Sequence, residues 1–273
     1  MITLQSLMSH IQTPKPIALA MTEMDARYAF EYDEPYWQGQ LDALASWQTD
    51  QELATQLDSW DARGEGFAGR YYALLKLAAL AHNGYAHRGI SMPIYDATMR
   101  FFTRILQSDA QAIDVAPYDL QWPIRQLTLR EFRLGAFEYE RTETAIQVHI
   151  PNDADLHTAS RQASYRAARD FFADYFPGDA AKPYECHSWL MAPGLAEVLP
   201  PESKIRQFQD DFEVIATDLS HEDVRKWVFG RTKAALIDWP EHTTLQRNLK
   251  TFLLKGGKLG VGVGRLRQTA LTQ

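Results

Sequence analysis

RLGAFEYERTETAIQVHIPNDADLHTASRQASYRAARDFFADYFP, residues 133–177, is the stretch on which the fold turns. Residues 133–141 (RLGAFEYER) and 144–150 (TAIQVHI) are rich in aromatic and β-branched side chains, which suit a pleated, half-buried surface. Arg141, Thr142 and Glu143 make a short connection, so the pair predicts a β-hairpin. Pro151 has no N–H to donate to a ladder and stops the second strand. PNDAD (151–155) then offers Asp153 or Asp155 as a helix cap. Leu156, Ala163, Ala167, Phe171 and Tyr175 follow at helical spacing, predicting a long helix that ends before Pro177-Gly178.

Downstream, 184–191 (YECHSWLM) and 212–217 (FEVIAT) read as strands, with helix or turn over 193–209. Leu245, Leu249, Phe252 and Leu253 give a last helix its apolar face, ended by Gly256-Gly257. GGKLGVGVGRLR (256–267) reads as a glycine-rich strand in close contact with neighbouring backbone. It follows a helix instead of opening one, which argues against a phosphate loop.

Upstream the strand signal fades. Leu41, Leu44, Trp47, Leu53, Leu57 and Trp60 predict an amphipathic helix, and Phe67, Tyr71, Leu74, Leu75 and Leu80 another, ended by Gly84. Ser91 caps a third, with a stripe of Ile94, Thr98, Phe101, Phe102 and Ile105. The character changes near Pro117 and Pro123. The expectation is an α+β chain: a helical N-terminal domain over 1–125, then a mixed-sheet domain with flanking helices over 126–273.

The 273 residues carry 28 Lys and Arg against 35 Asp and Glu, a net charge of −7 that disfavours a nucleic-acid partner. With 45% hydrophobic and 23% charged residues, the chain is a globular one and not a disordered one. No apolar run approaches the ~18 residues of a membrane span, and Met1–Ala20 lacks the pattern of a secretory signal. A single cysteine, Cys186, excludes an internal disulfide and a Cys-based zinc site. The expectation is a soluble, cytoplasmic protein with no metal, no nucleic acid and no membrane partner.

Glu138 and Glu140 share one strand face; lining a cleft, either carboxylate is a candidate base, and on a wet face both are solubilising charges. His149, at a strand end just before Pro151, is a candidate base near neutral pH or a structural histidine bonded to backbone. In CHS (186–188), alternation places His187 on one face and Cys186 with Ser188 on the other. Cys186 is either a buried core thiol or, paired with His149 across strands, a nucleophile. The strand-to-helix turn at 151–160 has the geometry of an anion site, with Asp153 and Asp155 opposing an anion and Arg161, Arg166 and Arg169 following.

RLGAFEYE (133–140), VHIP (148–151), SYRAARDFFADYFP (164–177), CHSWLMAPGLAEVLPPESKIRQFQDDFEV (186–214) and WPEHTTLQRNLKTFLLKGGKLGVGVG (239–264) together resemble a bacterial group of acyltransferase-domain proteins. That group joins an N-terminal helical N-acyltransferase domain to a GNAT-like C-terminal domain. The resemblance covers most of 130–265 and fits more loosely over LLKLAALAHNGYAHRGISMPIYDATMR (74–100). It implies a co-substrate, acyl-CoA, and transfer of its acyl group to the amine of a small molecule or peptide. It implies that strand 184–191 splays from its neighbour to admit the thioester arm, with Glu138 or His149 as base and His187 and Ser188 in the cleft. It also implies that Asn152, Ala154, Leu156, His157 and Arg161 face the diphosphate of CoA, with Tyr165 and Tyr184 as candidate acids. Where the family pattern reads Gln/Arg-x-x-Gly-x-Gly/Ala, residues 151–157 read PNDADLH, with no glycine and two aspartates. The same scaffold would suit a non-catalytic ligand-binding protein, a Cys/His hydrolase, or an interaction role for the helical half.

Overall fold

The computed structural model describes residues 2–28, 30–46, 66–107, 121–220, 223–230 and 234–272. The chain forms two compact units, Met1–Arg133 and Leu134–Gln273.

The first unit is built from helices α1 (Leu4–His10), α2 (Lys15–Tyr28), α3 (Glu34–Ser46), α4 (Gly66–His87), α5 (Met92–Met99), α6 (Phe101–Gln107) and α7 (Gln121–Leu127). The Ala- and Leu-rich run of α4 is buried almost all round from Tyr71 to Ala81, so α4 is the central helix of this unit. Buried tyrosines tie their hydroxyls to backbone carbonyls: Tyr71 to Phe102, Tyr85 to Gln126 and Tyr95 to Ala78. A tyrosine gives a core its apolar ring only if its hydroxyl finds such an acceptor.

Two expectations change here. Gly84 does not end α4; the helix runs on to His87, and Gly89, at φ +75°, takes the left-handed turn that closes it. The stripe from Ile94 to Ile105 is two helices, not one, meeting at Arg100. Leu41 and Leu44 lie on α3, with Leu44 buried, whereas Trp47, Leu53, Leu57, Trp60 and Pro117 lie outside the described residues.

Among the described residues, the sheet has six strands in the order β1-β2-β3-β4-β6-β5. They are β1 (Glu131–Leu134), β2 (Phe137–Arg141), β3 (Ile146–His149), β4 (Tyr184–Ser188), β5 (Phe212–Asp218) and β6 (Val261–Leu266). The single strand expected over 133–141 is broken by a tight turn at Gly135, at φ +69°. A Cβ there would lie 3.2 Å from the Ser164 backbone, so the turn demands glycine twice over. The hairpin of β2 and β3 is antiparallel as expected, and its loop begins at Thr142, whose N–H and hydroxyl both donate to the Ala145 carbonyl.

Helix α8 (Thr158–Tyr175) follows β3, and β4 runs parallel to β3. Such a connection is the strand–helix–strand unit that parallel pairing requires. Ser164 of α8 fastens helix to sheet: its hydroxyl donates to the Leu134 carbonyl and receives the Phe137 N–H, with the Tyr139 hydroxyl 2.9 Å away. Around it, Phe137, Tyr139, Tyr165, Phe172, Tyr184, Phe208 and Phe212 form a continuous set of ring contacts.

The strand expected over 184–191 ends at Ser188 and turns into a 3-10 turn, Trp189–Met191. Short helices α9 (Leu195–Val198) and α10 (Lys204–Asp210) lead to β5, and α11 (Asp223–Trp227) and α12 (Thr244–Leu254) lead to β6. Ala192, Leu195, Val198, Val224, Phe229, Leu249 and Leu259 close a small second core between them. The last residues form a short helix, α13 (Gln268–Thr272), which the sequence reading did not include. It is held to α8 by the Arg169 guanidinium, which donates to the Leu271 carbonyl.

Candidate active site

Pairing between β3 and β4 runs over Ile146↔Tyr184 and Gln147↔Glu185 and goes no further, although both strands continue. Val148 and His149 on one side, and Cys186 to Ser188 on the other, lie beyond the last pair. On its other edge β4 stays paired with β6 as far as Ser188↔Gly262. The parting is therefore local to the C-terminal ends of the two parallel strands. In open α/β sheets, ligand crevices form at such strand ends.

Register places the candidate side chains. Glu138 is opposite His149, Glu140 opposite Gln147, Gln147 beside Glu185, and Glu185 opposite Arg265. Directly opposed residues share a face, so Glu138, Glu140, Gln147, His149, Glu185, His187 and Arg265 all lie on one side of the sheet. The other side carries Phe137, Tyr139, Val148, Tyr184 and Cys186 and packs against α8. The sheet thus has an apolar face under the helix and a polar face, and three of the four expected catalytic residues, Glu138, His149 and His187, stand on the polar one. Ser188 has the parity of Cys186 and does not join them; its hydroxyl receives the Leu190 N–H and caps the 3-10 turn.

The polar face is not uniformly wet. Glu138 is only 2% exposed, which overturns the reading of its face as simply solvated. The His149 side chain keeps 22% exposure, and its Nε2 lies in hydrogen-bond contact with Glu140 Oε2 at 3.0 Å. His187 is exposed, opposite Val263. Glu185 and Arg265 form an ion pair at 2.8 Å along the same face.

Cys186 lies on the buried face and is fully buried, opposite Gly264. Burial pushes its thiol far above the ordinary value, so no thiolate is available at neutral pH. His149 is on the opposite face, so the Cys186–His149 nucleophile pair does not exist.

The turn between β3 and α8 holds Asn152 and His157 exposed and Ala154 and Leu156 half-buried. Two of its amides are already used: Ala154 N–H donates to the Pro151 carbonyl, and His157 N–H to Asp155 Oδ1. Asp155 also accepts from the Ser160 hydroxyl, and these two bonds hold its carboxyl below the usual value. The helix therefore begins against a carboxylate of its own, with His157 as the N-cap residue, where Asp153 or Asp155 was expected. Lys204 Nζ stands 2.7 Å from His157 Nε2 and brings a cation to this end of α8.

Arg161 is not on the surface. It is 2% exposed, and its guanidinium donates to both Asp211 carboxylate oxygens and to the Leu156 and Gln207 carbonyls. All three of its side-chain nitrogens are engaged by protein, so Arg161 braces the turn from behind and does not face an anion. Tyr165 donates to the same Asp211 carboxylate, and burial pushes its hydroxyl well above the usual value; burial does the same to Tyr184. Neither is poised to give up a proton near neutral pH. Sequence reasoning missed Glu140 as the partner of His149 and Asp211 as the hub of the bracing network. Hairpin register would have found the first; nothing local marks the second, which comes from 50 residues away.

The model of the GNAT-like C-terminal domain matches residues 106–266, more than half of the chain. A search of curated proteins finds no match. Among solved structures, an acyltransferase in complex with decanoyl-CoA and teicoplanin is similar at TM-score 0.73 and 19% identity, over 96% of this chain and 87% of that one. An acyltransferase in complex with decanoyl-CoA is similar at TM-score 0.71 and 21% identity, over 96% of this chain and 86% of that one. At such identities the likeness speaks for the fold, and it extends over both units. With its mixed sheet, its parted parallel strands and a family match over 106–266, the chain belongs to the GNAT-like C-terminal domain family.

Proposed function

We propose that the protein transfers an acyl group from acyl-CoA to the amine of a small molecule or peptide, with His149 as the base. The observation that carries this reading is the end of β3–β4 pairing directly beside the partly exposed His149 imidazole. The unbridged strand ends suit an arm that itself contains amides, because such an arm can hydrogen-bond as a short strand does. The solved structures of similar fold, which hold decanoyl-CoA, octanoyl-CoA or CoA, support acyl-CoA as the donor.

His149 is preferred over Glu138 on access. A substrate ammonium reaches the His149 ring, whereas Glu138 is covered. The ammonium gives one proton to the imidazole, and the freed nitrogen lone pair forms a C–N bond at the thioester carbonyl carbon. The C–S bond breaks with its electron pair going to sulfur, which takes up a proton as the free thiol. The new amide nitrogen sheds its second proton. Overall, thioester and alkylammonium give amide, thiol and one proton. Exposed His187 lies on the acceptor side of the sheet.

At the diphosphate end, Asn152, Ala154, Leu156 and His157 flank the donor, with the Lys204 ammonium as its cation. Asp153 and Asp155 oppose an anion there, which favours a second reading: a binding protein whose donor site has weakened. Native mass spectrometry after incubation with acetyl-, octanoyl- and decanoyl-CoA separates the two, followed by thiol release with a panel of primary amines. Acyl-CoA binding with amine-dependent thiol release is expected. Binding without turnover, or no binding of any acyl-CoA, would sink acyl transfer and favour the second reading.

A further inference from the structure

We infer that His10, His82 and Asp96 form an acid-sensitive fastening of α1: a neutral His82 leaves the Asp96 carboxylate to His10, and a proton on His82 makes the two histidines compete for it. This fastening is independent of acyl transfer, and turnover plays no part in its test.

Helix α1 is held at its C-terminal end. Leu7 and Ile11 are buried, the Thr103 hydroxyl donates to the Ile11 carbonyl, and His10 Nδ1 lies 3.0 Å from Asp96 Oδ1 of α5. The His10 and Asp96 side chains keep 34% and 26% exposure, so theirs is the contact that solvent protons reach.

His82 of α4 is the third member. Its ring meets the Tyr95 ring edge-on with centroids 5.1 Å apart, and the Tyr95 hydroxyl is tied to the Ala78 carbonyl. His82 Nδ1 is buried and has no hydrogen-bond partner among the described residues. A neutral imidazole tolerates this by carrying its one hydrogen on Nε2. An imidazolium carries a hydrogen on both nitrogens, so protonation buries an N–H without an acceptor, and a charge with it. The titratable and charged groups facing His82 are His10 from α1, Asp96 and Tyr95 from α5, and the chain's α-amino group. Only Asp96 draws the proton in. Burial above all, with the α-amino group and His10, outweighs it and holds the ring below its ordinary value of 6.5.

A histidine depressed on folding costs nothing where both states are neutral, above about pH 7. Stability is lost as pH falls below about 6.5, because the unfolded chain takes the proton more readily. In the folded chain, the added charge on His82 is met by turning Asp96 toward it. That takes the carboxylate from His10 and loosens the last turn of α1.

Two measurements on the full chain test this. NMR titration of the histidine rings, assigned through the backbone, reads the cluster. The His82 midpoint is expected below 6.5 in the wild type, and higher in His10→Gln, where a cation is removed and Asp96 is released. A wild-type midpoint at or above the ordinary value, or one unmoved by His10→Gln, overturns the inference. Amide hydrogen exchange, corrected for its intrinsic pH dependence, reads the helix. From about pH 7.5 to about pH 5.5, protection across α1 is expected to fall at least about threefold in the wild type and to hold in His82→Gln. No fall in the wild type, or the same fall in both proteins, overturns it. The ring titration needs no His82 variant, so it decides even if His82→Gln does not fold.

Discussion

Gly264 and Met191 are packed so closely that a Cβ on the glycine would lie 2.5 Å from the Met191 sulfur. Two residues earlier, a Cβ on Gly262 would run into the Met191 carbonyl oxygen. The glycines of β6 thus let the 3-10 turn after β4 lie flat on the sheet. The two positions differ in what has to give way. A methionine side chain can move, but a backbone carbonyl takes its chain with it. Gly262→Ala is therefore expected to cost about 2–3 kcal/mol, and Gly264→Ala about 1 kcal/mol. Urea unfolding of both variants checks the order; equal costs, or a neutral Gly262→Ala, would refute this account.

The Arg161–Asp211 pair yields a second prediction. Removing the guanidinium strands a partly buried carboxylate and two carbonyls, so Arg161→Ala is expected to lose about 3–5 kcal/mol. Arg161→Lys cannot reproduce the four-way fork and is also expected to destabilise. Neither change is expected to alter acyl-CoA affinity when measured well below the melting temperature. A variant of normal stability that binds acyl-CoA much more weakly would restore Arg161 to the role of an anion ligand.

The hairpin and the long helix were legible because aromatic and β-branched runs, a proline stop and a 3.6-residue stripe are local signals. The glycine-rich strand was legible for the same reason. The break at Gly135 was not, because its cause is the backbone of Ser164, which approaches only after α8 has docked. The candidate site was half legible. Alternation set the faces of His187 and Ser188, and strand-end position singled out His149. The partnership of His149 with Glu140 depends on hairpin register, and register follows from where the loop starts. The reading placed the loop at 141–143; the structure keeps Arg141 in the strand, paired with Ile146. Arg161 was misplaced for a related reason. A charged residue in the first turn of a helix reads as solvent-facing unless its distant acceptors are known.

Acid sensitivity supplies a third prediction. Asp179 receives the Arg141 guanidinium at 2.5 Å and the Lys182 ammonium at 2.6 Å. Burial raises its carboxyl, but these hydrogen bonds outweigh burial and hold it below its ordinary value of 3.8. A carboxyl depressed on folding contributes stability above its unfolded pKa and loses it as pH falls through the folded pKa. Asp179→Asn is expected to cost about 2 kcal/mol at pH 7. The gap between variant and wild type should stay full down to about pH 4 and close only below it. A gap that closes between pH 5 and 7 would assign the effect to another group.

Cys186 gives a fourth. Its thiol is sealed on the helix-covered face of the sheet and kept protonated by burial. A thiol reagent is expected to label the native protein no faster than the chain unfolds, and to label it at once in concentrated urea. Cys186→Ala is expected to leave amine-dependent thiol release unchanged. Fast labelling in native buffer, or loss of turnover in that variant, would return the thiol to the mechanism.

The last prediction concerns Asp153 and Asp155, the two aspartates of the turn before α8. They are not equivalent. Asp155 accepts from the His157 amide and the Ser160 hydroxyl, so changing it would unsettle the helix start and confuse any binding result. Asp153, exposed and outside those two bonds, serves as the probe. If the diphosphate of the donor lies at this turn, Asp153 repels it across solvent, an interaction worth a few tenths to about 1 kcal/mol. Asp153→Asn is then expected to tighten octanoyl-CoA binding about two- to fivefold, and added salt should erase the gain, because exposed charges are screened. Dephospho- and pantetheine-only donors sharpen the test. An octanoyl thioester that lacks the diphosphate is expected to bind wild type and variant alike, since the repelled group is gone. Equal tightening for both donors would mean that Asp153 acts on the turn itself and that the diphosphate lies elsewhere.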